Sequence, residues 1–201
     1  MNKKTDEIAH ANLLCGAYFA QVLSSLGLET IYFSPGSRST PLIIGIERYS
    51  NIQLIPVLDE RSAGFIALGQ SKQQNKPVGL ICTSGSALTH WFPAITEASH
   101  AGTPLLLFSA DRPPELQNCG AGQTIYQENI FGSFVRQFCQ LDVPQSSEEF
   151  KKHITTALHT AFLEATGLNP GPVHLNFPFR EPFLPASPVM IDQELKDHNL
   201  P

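Results

Sequence analysis

Four short stretches hold the residues whose types could do chemistry. Ser37 and Arg38 lie in SPGSRSTP (34–41), Glu60 in DERSAGFIALG (59–69), Thr83, Ser84 and Gly85 in TSGSA (83–87), and Asp111 and Arg112 in ADRPPEL (110–116). Two guanidiniums, a carboxylate and a turn of small residues are the parts needed to grip an anionic ligand and to move a proton beside it. Each also has an ordinary use. An acid at a helix start caps it or complements its dipole. TSGSA carries neither the Walker A nor the dinucleotide fingerprint and reads equally as a capping turn. A single arginine is commonly a surface ion-pair residue. Glu60 alone is therefore as good a helix-start acid as a catalyst, and its meaning depends on what the chain folds beside it.

The periodic segments supply that context. Ile8, Ala11, Cys15, Phe19, Val22 and Leu26 recur at steps of three and four, predicting a helix over 8–26 that Gly27 ends. A strand over 31–33 and a helix starting at Thr40 and Pro41 follow. Ile52, Leu54, Ile55, Val57 and Leu58 form a nearly continuous apolar run, the pattern of a parallel strand covered on both faces, and a helix over 61–72 begins near Asp59 or Glu60. Strand, turn and helix then repeat as 78–82, 83–86 and 87–99. After a strand over 105–108 and a turn over 109–114, the pattern predicts a helix over 123–135 broken near Gly132. A strand over 138–141, a helix over 147–165 capped by Ser146 or Ser147, and a strand over 173–177 complete the series. Beyond Pro178 the chain is proline-rich without a period and reads as a tail or linker; the domain is drawn as 1–185 and the linker as 186–201. This alternation predicts an α/β fold, a doubly wound parallel sheet of about six strands with helices on both faces. Ligands bind such sheets outside the carboxyl ends of the strands, which is where all four stretches fall.

Composition narrows the function classes. The chain has 201 residues, 42% of them hydrophobic and 15% charged, so it can bury one substantial core. A net charge of -5 without a basic run argues against nucleic acid as the main partner. Cys15, Cys82, Cys119 and Cys139 stand alone, without CxxC spacing, and read as free, mostly buried thiols of a reducing cytoplasm. The histidines, among them His90, His100, His153, His159 and His174, show no HxxxH or HExxH pairing, so no metal site is expected. Trp91 and Phe92 read as packing residues. The first ten residues are polar rather than a signal sequence, and no apolar run approaches a membrane span, so a soluble cytoplasmic protein is expected.

Taken in order, SPGSRSTP, DERSAGFIALG, TSGSA, ADRPPEL and CGAGQTIYQ (119–127) resemble the N-terminal part of the 2-succinyl-5-enolpyruvyl-6-hydroxy-3-cyclohexene-1-carboxylate synthases, thiamine-diphosphate enzymes of menaquinone biosynthesis. The resemblance runs from Ala11 to Pro185, and the pairing of PGSRSTP with ADRPPEL is its most specific part. It implies a pyrimidine-binding domain in which Glu60 hydrogen-bonds the aminopyrimidine of thiamine diphosphate and Thr83, Ser84 and Gly85 lie against that cofactor. It implies that Ser37, Arg38, Arg112 and Gln123 hold the anionic substrates 2-oxoglutarate and isochorismate. The reaction implied is decarboxylation of 2-oxoglutarate and addition of the resulting succinyl carbanion equivalent to isochorismate, in a homo-oligomer whose active site joins domains of two subunits. Gly122 departs from the pattern, in which Asn is frequent. The family's GDG sequence, which with a downstream Asn binds Mg2+ and diphosphate, is not among these residues, so the chain is expected to be inactive alone. Two alternatives stay open: another thiamine-diphosphate enzyme, such as a 2-oxoacid decarboxylase or acetolactate-type synthase, and a non-catalytic anion-binding α/β module.

Overall fold

A computed structural model describes residues 3–185. In chain order the elements are α1 (Lys3–Ser25), β1 (Thr30–Phe33), α2 (Thr40–Tyr49), β2 (Gln53–Pro56), α3 (Glu60–Gln74), β3 (Val78–Cys82), α4 (Phe92–Ala101), β4 (Leu105–Asp111), β5 (Phe138–Gln140), α5 (Glu148–Thr166) and β6 (Val173–Pro178). The strands form one sheet, paired in parallel throughout, in the order β2-β1-β3-β4-β6-β5. From β1 the chain first moves outward to β2 and then crosses back to β3, so the order switches between β1 and β3. The turns that leave those two strands hold Ser37, Arg38, Thr83, Ser84 and Gly85.

The continuous apolar character of the inner strands follows from their being covered twice. On one face Ile31, Ile81, Leu106, Phe108, Val173, Leu175 and Phe177 pack with α1, α2 and α5; on the other Tyr32, Leu80, Cys82, Leu105 and Leu107 pack with α3 and α4 around fully buried Trp91. Successive strand residues point to opposite faces, so two separate cores draw alternately on the same strands. Phe19 of α1 meets Phe108 and Phe177 edge-on at 4.7 and 5.5 Å, which ties the longest helix to β4 and β6.

Several elements differ from the sequence expectation. The run 52–58 forms only the short edge strand β2, half-exposed, and Leu58 is 86% exposed. An edge strand gains cover on one side only, which apolar content does not reveal. The helix expected over 87–99 is a 3₁₀ turn over Gly85–Trp91 followed by α4, because Pro93 has no N–H to continue an α-helical ladder and instead occupies the first turn of a new helix. The segment 123–135 is not a helix. Gln123, Asn129 and Gly132 have φ of 56°, 50° and 49°, and the segment is a chain of turns whose Phe131 and Val135 enter the core. Strand β4 runs on to Asp111 rather than ending at Phe108. The start of the expected tail is fastened to the domain: Phe179 is fully buried and its N–H donates to the Asp111 carbonyl. Residues 186–201, read as a linker, lie outside the described residues.

Helices α1 and α2 cross at two glycines. A Cβ on Gly16 would lie 2.0 Å from the Pro41 carbonyl oxygen, and one on Gly45 would lie 2.0 Å from that of Gly16. This contact presses α2, and the Ser37–Ser39 turn just before it, against α1. Gly45→Ala is therefore expected to lower stability by about 1–3 kcal/mol through overpacking. Gly69 lies exposed in α3 with nothing within 4 Å of an added Cβ, so Gly69→Ala is expected to raise stability by about 0.5–1 kcal/mol. Urea unfolding of both variants checks the pair, and effects of the same sign would contradict a close α1–α2 crossing.

Candidate active site at the carboxyl edge of the sheet

Asp59 and Glu60 divide the work at the start of α3. Asp59 is the N-cap: its carboxylate accepts the Ser62 N–H at 2.8 Å, and that bond pulls its pKa below the usual carboxylate value. Glu60, the first helical residue, is half-buried and makes no hydrogen bond or ion pair among the described residues. Its charge lies close enough to the buried Cys82 thiol, at the end of β3, to add to the upward push that burial gives that thiol's pKa. The capping role open to either acid in the sequence thus falls to Asp59. Glu60 is left as an acceptor beside an apolar strand end.

The other turns meet one another. Gly36 approaches Thr83 so closely that a Cβ on it would sit 2.3 Å from that of Thr83. Thr83 and Ser84 are buried, and Gly85 has φ of 85°, a left-handed geometry that favours glycine. A side chain there would also collide with Gln123, whose Cγ would lie 2.7 Å from the new Cβ. Ser84 is held from two sides, since its hydroxyl oxygen accepts a hydrogen bond from Arg112 Nη1 and its carbonyl one from Gln123 Nε2 at 3.0 Å. The Gly85 N–H is not open to a ligand; it donates to Gln127 Oε1 at 2.8 Å.

Gln127 opens a buried polar network that the sequence reading missed. Its Nε2 donates to the Ala110 carbonyl at 3.1 Å and to Asn176 Oδ1 at 2.8 Å, and Asn176 Nδ2 donates to Asp111 Oδ2 at 2.7 Å and Gln140 Oε1 at 2.8 Å. Ser109 gives its one proton to Asn176 Oδ1 at 2.6 Å, so its contact of 2.7 Å with His174 Nε2 is one in which the imidazole donates. Burial raises the Asp111 pKa, opposed by N–H groups of Asn176, Arg112 and Gln117. A readable signal exists in VHLNFP: a His and an Asn inside a strand with both faces buried need partners.

Arg38 is 4% exposed rather than open to solvent. It donates through Nη1 to the Phe179 carbonyl and through Nη2 to Glu181 Oε1 at 2.8 Å, and its Cζ lies 4.9 Å from the centre of the Phe183 ring. Burial and the charge of Arg112 lower its pKa, while Glu181 and Asp111 oppose them. Ser37 is exposed at the head of the same turn.

The structure thus joins Ser84, Gly85, Arg112 and Gln123 by direct contact and sets Arg38 within electrostatic reach of Arg112. Glu60 shares no hydrogen bond with these residues, but its charge acts on Cys82, which directly precedes Thr83. A cavity of ≈ 570 Å³ adjoins Arg112 and carries both signs of charge, Arg112 and Arg180 beside Asp111, Glu128 and Asp142; Glu60, Ser37 and Arg38 do not border it. The four cysteines are free, Cys15 and Cys82 buried, Cys139 partly buried and Cys119 exposed.

A doubly wound parallel sheet with these turns at its switch in strand order is a ligand-binding architecture. Residues 15–133 match the thiamine pyrophosphate enzyme N-terminal TPP binding domain, and the chain belongs to that family. The fold is that of benzoylformate decarboxylase from Polynucleobacter necessarius, with a TM-score of 0.67 at 23% identity over 82% of this chain and 29% of that one. Within that family, the chain is similar to proteins named 2-succinyl-5-enolpyruvyl-6-hydroxy-3-cyclohexene-1-carboxylate synthase. It is 45% identical over 178 residues to that of Natronomonas pharaonis and 43% identical over 183 residues to that of Acaryochloris marina. These matches take in 89% and 91% of this chain but 30% and 31% of theirs, so the chain spans less than a third of the length of these relatives. No helix among the described residues is long and apolar enough to cross a membrane.

Burial holds the His174 ring neutral, with its pKa pushed down from 6.5 to about 3. The unfolded chain takes up this proton as pH falls below the ordinary histidine value; the folded protein does so only near the lowered one. The contribution is therefore complete above about pH 6.5 and is lost as pH falls toward 3, with a slope of up to about 1.4 kcal/mol per pH unit. Urea unfolding between pH 7 and 5 should show this decline in the natural protein and a flatter profile in His174→Gln. A flat profile in the natural protein would rule out a neutral buried ring.

Proposed function

We propose that this chain is the pyrimidine-binding part of a 2-succinyl-5-enolpyruvyl-6-hydroxy-3-cyclohexene-1-carboxylate synthase acting in menaquinone biosynthesis. The observation that carries the reading is Glu60: a carboxylate with no hydrogen-bond or ion-pair partner among the described residues, relieved of capping by Asp59, at the edge where a parallel sheet binds ligands. A carboxyl group against an apolar strand end can share one proton with the ring nitrogen of an aminopyrimidine, so these residues fit the cofactor of their family. When bound, thiamine diphosphate supplies the nucleophilic carbon and the electron sink for loss of carbon dioxide from 2-oxoglutarate and transfer of the succinyl unit to isochorismate.

The chain's own residues then have separate tasks. Glu60 accepts a hydrogen bond from the pyrimidine ring nitrogen and holds the proton there, which sets the ring's tautomer. Thr83, Ser84 and Gly85 form the close-packed floor beside the ring, held rigid by Arg112, Gln123 and Gln127. Ser37, Arg38, Arg112 and Gln123 bind the carboxylates of the two anionic substrates, with the paired guanidiniums supplying charge complementarity. Magnesium and diphosphate are held by residues other than these, in a further domain, and the enzyme works as a homo-oligomer in the cytoplasm. Gly122 leaves one side-chain contact to substrate to be made by backbone or by a neighbour.

Two measurements test this. Glu60→Gln in the full-length enzyme should reduce turnover of 2-oxoglutarate and isochorismate by about 10²–10⁴-fold, the range of a lost acid–base group, while calorimetry shows thiamine diphosphate binding only weakened. Turnover close to that of the natural enzyme would sink the assignment. The 201-residue protein alone should give no carboligation, and product formed by it would refute the division into domains.

A further inference from the structure

Arg38 has five N–H donors, and they are held unequally. Nη1 is bound to the Phe179 carbonyl, Nη2 to Glu181, and Phe183 covers the guanidinium, whereas Nε is buried without a partner among the described residues. Two of the holds belong to packed structure: Phe179 is fully buried with its own N–H bound to Asp111, and Phe183 packs partly buried against the core. The third does not. The Glu181 side chain is 67% exposed against 5% for that of Arg38, and the worth of an ion pair with so wet a partner is small.

The backbone around Glu181 is fastened on both sides. Buried Asn12 of α1 donates through Nδ2 to the carbonyls of Arg180 at 2.8 Å and Pro182 at 3.0 Å. Arg180 is further paired with Glu115 at 2.5 and 3.0 Å. The carboxylate of Glu181 can therefore leave Arg38 by turning its own side chain into water, with the strap 179–183 and the guanidinium staying in place. Exchange also corrects a deficit. A ligand carboxylate taking Nε and Nη2 together would satisfy the buried Nε–H that Glu181, bound through Nη2 alone, leaves unpaired.

We propose that Glu181 is a specificity-determining residue of the Arg38 subsite, an internal carboxylate that the carboxylate of an anionic ligand displaces. The inference rests on the function proposed above, in which Arg38 binds substrate. It gives the subsite two properties. The guanidinium is preorganised and charge-balanced before ligand arrives, so its neighbour Arg112 does not repel it out of position. Only a group with two acceptor oxygens and a negative charge replaces Glu181 with a gain in hydrogen bonds, so the subsite selects carboxylates against neutral ligands.

The test is steady-state kinetics of the full-length enzyme carrying Glu181→Gln, which keeps the shape and removes the charge. The KM for isochorismate should fall about two- to fivefold, the worth of a mostly exposed ion pair, with kcat changed by less than about twofold. A raised KM would make Glu181 a prop for Arg38 and overturn the exchange; an unchanged KM would overturn it as well. Arg38→Lys in the same assay separates the two levels of the argument. If Arg38→Lys raises KM while Glu181→Gln leaves it unchanged, Arg38 binds substrate and only the exchange falls. If Arg38→Lys itself leaves KM unchanged, the assignment of Arg38 to substrate falls first.

Discussion

The side-chain amide of Asn176 is fully buried at the carboxyl end of β6, and its donors and acceptor reach Ser109, Asp111, Gln127 and Gln140. An amide in that position is destabilising unless all its bonds are made, because the low-dielectric interior offers no water in exchange. Here they are made, and the partners belong to β4, β5 and the turns over 123–135. The network therefore fixes where those turns run. Through Gln127 it reaches the Gly85 N–H, and through Asp111 the start of the loop that carries Arg112. Two of the stretches with chemical potential are thus held from beneath by one buried polar cluster between the apolar layers.

At the start of α3 the constraint is local. A helix start needs an acceptor for its free N–H groups, and Asp59 supplies it. Placing a second acid directly after the cap gives the fold a carboxylate with no structural duty, on a rigid helix rather than a loop. Its position is set by α3 packing through Gly64 against Trp91 and Ala94. The stability of the region and the availability of Glu60 rest on different residues.

Arg38 illustrates a third arrangement. A guanidinium drawn into the protein needs its charge answered and its donors filled. The strap beyond β6 does most of this, with a carbonyl, an aromatic face and a carboxylate. Chain distant by more than 140 residues thereby completes the turn after β1. A reading confined to SPGSRSTP sees an arginine offered to solvent; the fold makes it a buried cation with one exchangeable partner.

By itself the sequence determined the layers and the edge. Helix period, apolar strand runs and the alternation between them specify a doubly wound parallel sheet, and that topology brings the ends of β1 to β4 to one side whatever the side chains do. The motifs around Ser37, Glu60, Thr83 and Arg112 were legible for the same reason, since each directly follows a strand. Tertiary structure alone decided which strand would lie at an edge and so leave Leu58 exposed. It also decided that 123–135 would be turns, because the gain from burying Phe131 and satisfying Asn176 through Gln127 exceeds a helix's local preference. The choice between Asp59 and Glu60 as cap, and the seating of Arg38 on Phe179 and Glu181, were likewise settled in three dimensions. Local periodicity records what each segment buries, whereas hydrogen-bond partners far apart in the chain leave no periodic trace.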